Sequence, residues 1–384
     1  MKLACVIQRF GSEITGGSER HCQAIAEHLA AAHDVTIVTT CAQDHLTWRN
    51  VYPPGASRLG PLQILRFPVA RPRRMQRFAD ISRTVLTSRS STAEQEEWFR
   101  ENGPEVPELL AYLDRHGAEY DRILFWTYRY YPAFFGLPRV ADRAILVPTA
   151  EEDPLIRIEV LDRFFSLPAG YLFLTPEEKN LVARRSSRPL PVSAVIGCGI
   201  DLPGSPPPLD VSRHGIVEPF VLYLGRIDRN KGCDAMLENF ERYSNEQQRP
   251  LQLVMAGSLN LVIPSSPRLK WLGVVDDVLR DGLLSRARVL LMPSPFESLS
   301  MVLLEAWTHG TPALVNGRCS VLKGQVRRAD GGLHYSTYAE FAAGLTYLLD
   351  HADVARTLGA QGREYVAREY AWPNVMQKIE GVLT

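Results

Sequence analysis

Apolar residues in this chain fall into short solid runs, separated by longer segments in which they recur every three or four positions. The runs at residues 3–7, 35–38, 64–67, 123–126, 145–147, 171–174 and 192–196 are too short for helices. They are apolar on both faces, the pattern of strands buried in a parallel sheet, and the segments between many of them have helical spacing. After the first run, a glycine-bearing loop at 10–17 leads into a helix that the pattern caps with Ser18 and carries through Ala24, Ile25 and Leu29. Residues 197–219, with Pro203, Pro206, Pro207, Pro208 and Pro219, interrupt the alternation. It then resumes with strands at 220–224, 251–256, 269–272, 289–292 and 313–315, helices near 235–243 and 278–287, and further helices toward the C-terminus. This order predicts an α/β chain of two doubly wound, Rossmann-like domains, 1–200 and 220–364, joined by a linker at 201–219.

Composition narrows the function. The 384 residues are 45% hydrophobic, enough for two cores, and Lys plus Arg balances Asp plus Glu at 43 each. That balance gives no reason to expect a nucleic-acid partner. Six scattered cysteines without a C-x-x-C pair read as reduced thiols rather than a disulfide or zinc framework. Lys2 is followed by only a short apolar run before Arg9, and no stretch approaches a membrane span, so the expected location is cytoplasmic, at most peripheral to a membrane. The charge is uneven only over residues 66–89, where Arg66, Arg71, Arg73, Arg74, Arg77, Arg83 and Arg89 face a single Asp80. This run is either a basic amphipathic surface for anionic lipid or an ordinary arginine-rich face.

The chemistry concentrates at two places. Glu297 lies in a loop after the 289–292 strand, and Glu305 lies inside the helix that follows. Between them, Ser298, Leu299 and Ser300 span a helix N-terminus with either serine as cap, so backbone N–H groups that suit an anion stand beside carboxylates that suit hydroxyls. Upstream, the 220–224 strand ends in Gly225-Arg226 and, after a short loop, Lys231-Gly232. In open α/β sheets ligands bind beyond such strand ends, and an arginine fork with a lysine point charge fits a diphosphate.

With Gly16 and Gly17 in the first loop and Gly310-Thr311-Pro312 after the glutamate helix, these segments resemble the retaining glycosyltransferases of family 4, of the GT-B fold, over nearly the whole chain. The resemblance implies two domains facing across a cleft, an acceptor-side first domain, a donor-binding second domain, and a last helix, near 365–384, crossing back onto the first. It implies that Arg226 and Lys231 hold the diphosphate of a UDP- or GDP-sugar, Glu297 the sugar hydroxyls and Glu305 the ribose. Gly16 and Gly17 would admit the phosphates and acceptor. No metal or other cofactor is implied, and the acceptor would be a glycan or lipid-linked carrier in surface polysaccharide or glycoconjugate assembly. The sequence departs from the family at Val147-Pro148-Thr149-Ala150-Glu151, where Glu151 stands in place of a histidine at the donor sugar. Glu151, Glu152 and Asp153 either meet hydroxyls or cations or form a solvated loop. Tyr128 to Tyr131 either stack on a sugar or pack. Residues 257–260 and 273–275 are the candidates for contacting the base. A nicotinamide enzyme is disfavoured, since no strand is followed by G-x-G-x-x-G. A nucleotide-sugar epimerase of similar architecture and a catalytically silent sugar-binding homologue remain the alternatives.

Overall fold

A computed structural model describes residues 1–14, 16–87, 89–202, 204 and 209–384; Pro203, Pro206, Pro207 and Pro208 of the expected linker lie outside the described residues. The chain forms two compact units, Met1–Gly199 with Pro373–Thr384, and Ile200–Trp372. The described residues of 201–219 therefore go with the second unit, and the chain returns to the first at Pro373.

The first unit holds an eight-stranded sheet made of β1 (Lys2–Val6), β2 (Asp34–Thr40), β3 (Gly55–Leu59), β4 (Leu62–Phe67), β5 (Arg122–Trp126), β6 (Ala144–Val147), β7 (Gly170–Phe173) and β8 (Val192–Val195), in the order β3-β4-β2-β1-β5-β6-β7-β8. All neighbours are parallel except β3 and β4, which form an antiparallel hairpin at the edge. The strand β3 has almost no buried position, so it lacks the apolar run by which the other strands are read. Helices α1 (Gly17–Leu29), α2 (Met75–Thr87), α3 (Thr92–Asn102), α4 (Pro107–His116), α5 (Tyr131–Gly136), α6 (Val160–Phe164) and α7 (Pro176–Arg185) lie between the strands in sequence. Helix α1 begins two residues earlier than expected: Gly16 is its N-cap, and Ser18 instead donates to Glu19 Oε2 at 2.8 Å.

The second unit carries β9 (Phe220–Leu224), β10 (Gln252–Ala256), β11 (Leu269–Trp271), β12 (Leu290–Met292), β13 (Ala313–Asn316) and β14 (Gly332–Tyr335), all parallel, in the order β11-β10-β9-β12-β13-β14. Its helices are α8 (Cys233–Gln247), α9 (Asp277–Arg286), α10 (Met301–Thr308), α11 (Ser320–Ala329), α12 (Tyr338–Asp350) and α13 (Ala352–Glu369), and α14 (Trp372–Leu383) returns to the first unit. There, His33 Nε2 lies 2.8 Å from Glu380 Oε1. All six cysteines are buried and unbridged. Among the described residues no helix is long and apolar enough to cross a membrane.

Within the first unit one buried side chain ties the sheet to its loops. His21 of α1 is 4% exposed; its Nδ1 accepts from Trp126 Nε1 at 3.1 Å, which leaves Nε2 to donate to Gly197 O at 2.9 Å. Burial lowers its pKa to about 4, so the ring is neutral at neutral pH. A group whose folded pKa lies below its unfolded value contributes stability above the unfolded pKa, and that stability is lost as pH falls toward the folded one. The window here runs from about 6.5 down to about 4. We expect the unfolding free energy to drop by about 2 kcal/mol between pH 7 and pH 5 through this residue. His21→Gln should flatten that arm of a denaturant-measured pH profile, and an unchanged arm would assign the acid sensitivity elsewhere.

Candidate donor and acceptor sites at the strand ends

The order of the second sheet places its site. The chain runs from β9 outward to β11 and then returns to start again at β12, on the other side of β9. Loops that follow β9 and β12 therefore diverge at a switch point, where an open sheet leaves room for a ligand. The β9 loop begins at Gly225, with φ 140°, and ends at Gly232, with φ 70°. A Cβ on Gly232 would come within 2.5 Å of Pro293 O, so the end of one loop lies directly on the start of the other. Between the glycines, Asp228 caps the turn by accepting from Lys231 N at 2.9 Å and takes the Arg226 guanidinium, Nε to Oδ2 2.6 Å. Lys231 Nζ reaches across to Glu297 Oε1 at 2.7 Å, with the glutamate 11% exposed. The two separate sequence signals thus meet in space.

Ser300 caps α10, its Oγ accepting from Leu303 N at 3.2 Å, while Ser300 N is held by the fully buried Gln325 at 3.2 Å. Leu299 is buried and Ser298 half-buried. Leu303, Leu304, Ala306 and Trp307 are buried, leaving half-buried Glu305 as the carboxylate of this helix, one turn in, with its charge acting on Arg280 of α9. His309, at the C-terminal end of this helix, has its ring directed to Asp281, Nε2 to Oδ1 3.8 Å, and burial lowers its pKa. The candidate base segments also converge: Gly257 N donates to Gly273 O at 2.7 Å, and Trp271 Nε1 donates to Gly257 O at 3.0 Å.

In the first unit, the segment from Thr149 to Asp153 follows β6. Thr127 and Thr149, at the ends of β5 and β6, have φ of 53° and 50°. Branched residues seldom occupy that region, and the surrounding structure has to hold them there. Fully buried Glu178 supplies part of that hold, its two oxygens accepting from Ala150 N and Leu174 N, each at 2.6 Å. Burial raises its pKa to about 8 against the opposing pull of these amides. The acidic segment meets a cation: Arg129 Nη2 is 3.0 Å from Asp153 and 3.6 Å from Glu151. Tyr128 and Tyr131 are buried packing residues, and Tyr130 lies edge-on to Trp48 at 5.4 Å. Gly16 is where the space of a missing side chain is used, because a Cβ there would fall 2.1 Å from Glu19 Oε2; over Gly17 there is open space.

The arginine run is not a free basic face. Arg71, Arg74 and Arg77 converge on the buried carboxylate of Glu101, and Arg77 and Arg71 also pair with Glu97 and Glu105 at 2.8 Å each. Arg66 donates to Phe10 O at 2.8 Å, and Arg73 packs on Trp48 and Phe78. Carboxylates of the same unit thus compensate Arg71, Arg74 and Arg77, while Arg83 lies 3.8 Å from Asp80 and Arg89 is exposed. The sequence pattern missed Arg9, Glu19, Arg129, Glu178 and Asp228; Asp228 stands inside the Gly225–Gly232 loop and was within reach of that reading, whereas the others need the fold.

Residues 212–365 match the family model of glycosyl transferases group 1. Over the whole chain the fold is GT-B. Sucrose-phosphate synthase from Thermosynechococcus elongatus superposes with a TM-score of 0.69 at 17% identity, covering 99% of this chain and 98% of that one. Anabaena HepE in complex with UDP-glucose gives 0.70 at 15% identity, covering 100% and 99%. A trehalose 6-phosphate synthase from Burkholderia multivorans gives 0.69 at 13%, covering 100% and 98%. No curated protein matches.

A close backbone approach between two of these loops gives a direct test. Gly257 has φ 138°, and a Cβ on it would lie 1.9 Å from Gly225 O. Backbone strain of about 1–3 kcal/mol adds to an overpacking term of about 1–3 kcal/mol. Gly257→Ala should therefore lower stability by about 3 kcal/mol or more, read as a shift in the denaturant midpoint. A shift under about 0.5 kcal/mol, the size of an ordinary surface change, would show that the two loops are not locked together.

Proposed function

We propose that the protein is a retaining glycosyltransferase that moves a sugar from a UDP- or GDP-sugar to a glycan or lipid-linked acceptor in polysaccharide or glycoconjugate assembly, without a resident metal. The observation that carries this reading is the Lys231–Glu297 contact at the switch point, with Arg226 and the start of α10 in the same pair of loops. The match of residues 212–365 to the glycosyl transferase model and the UDP-glucose held by HepE support it.

In this reading Arg226 and Lys231, with the backbone N–H groups of Ser298 to Ser300, bind the diphosphate. Breaking the glycosyl–phosphate bond moves negative charge onto the departing diphosphate while positive charge grows on the sugar carbon. Donors fixed in advance on that diphosphate stabilise this state more than the ground state, by about 3 kcal/mol for a well-placed one. Glu297 accepts from donor sugar hydroxyls and Glu305 from the ribose. The base lies against 257–260 and 273–275. Gly16 and Gly17 allow close approach of substrate to the first loop. Glu151 stands where the family places a histidine and accepts from a sugar hydroxyl, with Arg129 holding it in place. Departure and attack take place on one face of the sugar, so the configuration is kept.

A panel of nucleoside diphosphates and nucleotide sugars in chelator tests the donor reading. One diphosphate at a hundredfold its Kd should add about 2.7 kcal/mol of stability, and Arg226→Ala should abolish the shift. Stabilisation that needs added divalent cation would end the metal-free reading, and no stabilisation under either condition would end the donor reading. Glu305→Gln should raise the Kd for that nucleotide tenfold or more, since a hydrogen bond to a charged group is worth about 1.5–3 kcal/mol; unchanged affinity removes Glu305 from the site. Glu151→Ala should lower transfer at least tenfold at an unchanged nucleotide Kd, and full activity would return residues 151–153 to a solvated loop.

A further inference from the structure

The loop from Gly225 to Gly232 carries three cations, Arg226, Arg229 and Lys231, and a single acid, Asp228. Both oxygens of that acid are committed. Oδ1 accepts from Lys231 N at 2.9 Å, which makes Asp228 the cap of the short turn Arg229–Lys231, and Oδ2 lies 2.6 Å from Arg226 Nε. The side chain of Asp228 is 13% exposed, whereas that of Arg226 is 42% exposed. Other contacts fix the backbone around the arginine. Tyr223 Oη donates to Arg226 O at 2.8 Å, Ile227 N donates to Ser258 O at 2.8 Å, and Asn260 N donates to Ile227 O at 2.9 Å. Cys233 N donates to Asp228 O at 3.2 Å and joins the turn to the start of α8. The long side chain of Arg226 is then the part left to be oriented, and Asp228 is the acid that reaches it. Among the described residues Arg226 pairs with no second carboxylate.

Capping alone does not call for an acid here. A hydroxyl accepts the same N–H without placing negative charge beside an anionic ligand, as Ser300, Ser91 and Thr175 do at the starts of α10, α3 and α7. The second oxygen gives the reason for the carboxylate. An arginine side chain has many rotamers, and a ligand that must freeze them binds more weakly than one that meets a fork already set. An acid at Nε sets the guanidinium plane and leaves both Nη groups to meet phosphate oxygens in pairs. The first oxygen acts on the other cation. By holding Lys231 N it fixes the backbone from which the lysine leaves, and Lys231 Nζ reaches Glu297 Oε1 at 2.7 Å. One buried carboxylate therefore governs both cations of the loop.

We propose that Asp228 is a positioning residue for diphosphate binding: it orients the Arg226 fork through Oδ2 and the backbone at Lys231 through Oδ1, and does not itself touch the ligand. The proposal rests on the donor reading for the identity of that ligand, a nucleoside diphosphate or its sugar ester. The test uses the full chain and the diphosphate found by the nucleotide panel. Asp228→Asn keeps an acceptor for Lys231 N and removes the counter-charge from Arg226. Asp228→Ser, a capping residue too short to reach the guanidinium, serves if the amide variant fails to fold. Either variant should keep the denaturant midpoint and raise the Kd of the diphosphate about tenfold, with a similar loss in kcat/KM for the donor. In an Arg226→Ala background the same change should alter kcat/KM by no more than about twofold, because the group it acts through is gone. Unchanged affinity, or a full loss that persists in the Arg226→Ala background, overturns the proposal. Tighter binding overturns it as well, by showing that Asp228 only repels the ligand. Nitrogen-relaxation NMR of the Arg226 Nε–H, assigned by its absence in Arg226→Ala, needs no nucleotide. The signal should be as ordered as the backbone in the unmutated chain and mobile in Asp228→Asn. Order without any diphosphate affinity would sink the donor reading and keep Asp228 as the group that fixes Arg226, whereas diphosphate affinity with a mobile Nε–H would do the reverse.

Discussion

The arrangement of the second unit depends on a constraint of backbone on backbone: the loop that leaves β9 must lie against the loops that leave β10 and β12. Gly225, Gly232 and Gly257 meet that constraint. At Gly257 any side chain would run into the carbonyl of Gly225, and at Gly232 into that of Pro293. Once the loops are pressed together, Lys231 and Glu297, sixty-six residues apart, fall within a hydrogen bond of each other. The reversal of strand order between β9 and β12 makes room for this contact, and the burial of Leu303, Leu304 and Trp307 fixes the start of α10 next to it. Trp307 is in turn seated on residues without side chains, since a Cβ on Gly331 or Gly362 would lie 2.4 Å from its ring. Packing in the core and chemistry at the rim are therefore consequences of one set of close approaches.

Much of this was legible in the sequence because parallel strands buried on both faces leave solid apolar runs. Phe220–Leu224, Gln252–Ala256 and Arg122–Trp126 could be read for that reason, and the loops at their ends could be searched for charge. What escaped had no such pattern. The strand β3 is exposed and antiparallel, and β14 is only partly buried. The N-cap of α1 was misplaced because serine is the usual cap, while here a glycine is needed under the carboxylate of Glu19. The arginine run was read as a surface because its partners, Glu97, Glu101 and Glu105, come from another helix and the loop after it. Charge compensation across elements is a property of the fold and leaves no local trace.

The same limit explains the acidic segment after β6. Glu151, Glu152 and Asp153 looked costly in sequence, and the cost is met by Arg129 from the adjacent strand end and by Glu178 beneath. A buried carboxylate with a pKa near 8 gives up hydration to hold two strand-end amides, and two threonines sit in a strained conformation above it. Strain and desolvation gathered at the ends of neighbouring strands are tolerated when something else requires that geometry.

The two units handle charge differently, and this bears on how each meets a ligand. In the second unit the Lys231–Glu297 pair is partly open to solvent, with Lys231 at 27% exposure, and the Arg226 guanidinium is 42% exposed. In the reading proposed above, a diphosphate and a set of sugar hydroxyls would replace the half-buried pairing of Lys231 and Glu297. Each then gains a partner held in a fixed direction. In the first unit Glu19 and Glu178 are nearly or fully buried and already accept from several donors. Removing a partner from such a buried group costs more than separating a half-exposed pair. Those groups therefore act as a preset frame, around which a ligand must fit its own donors and acceptors.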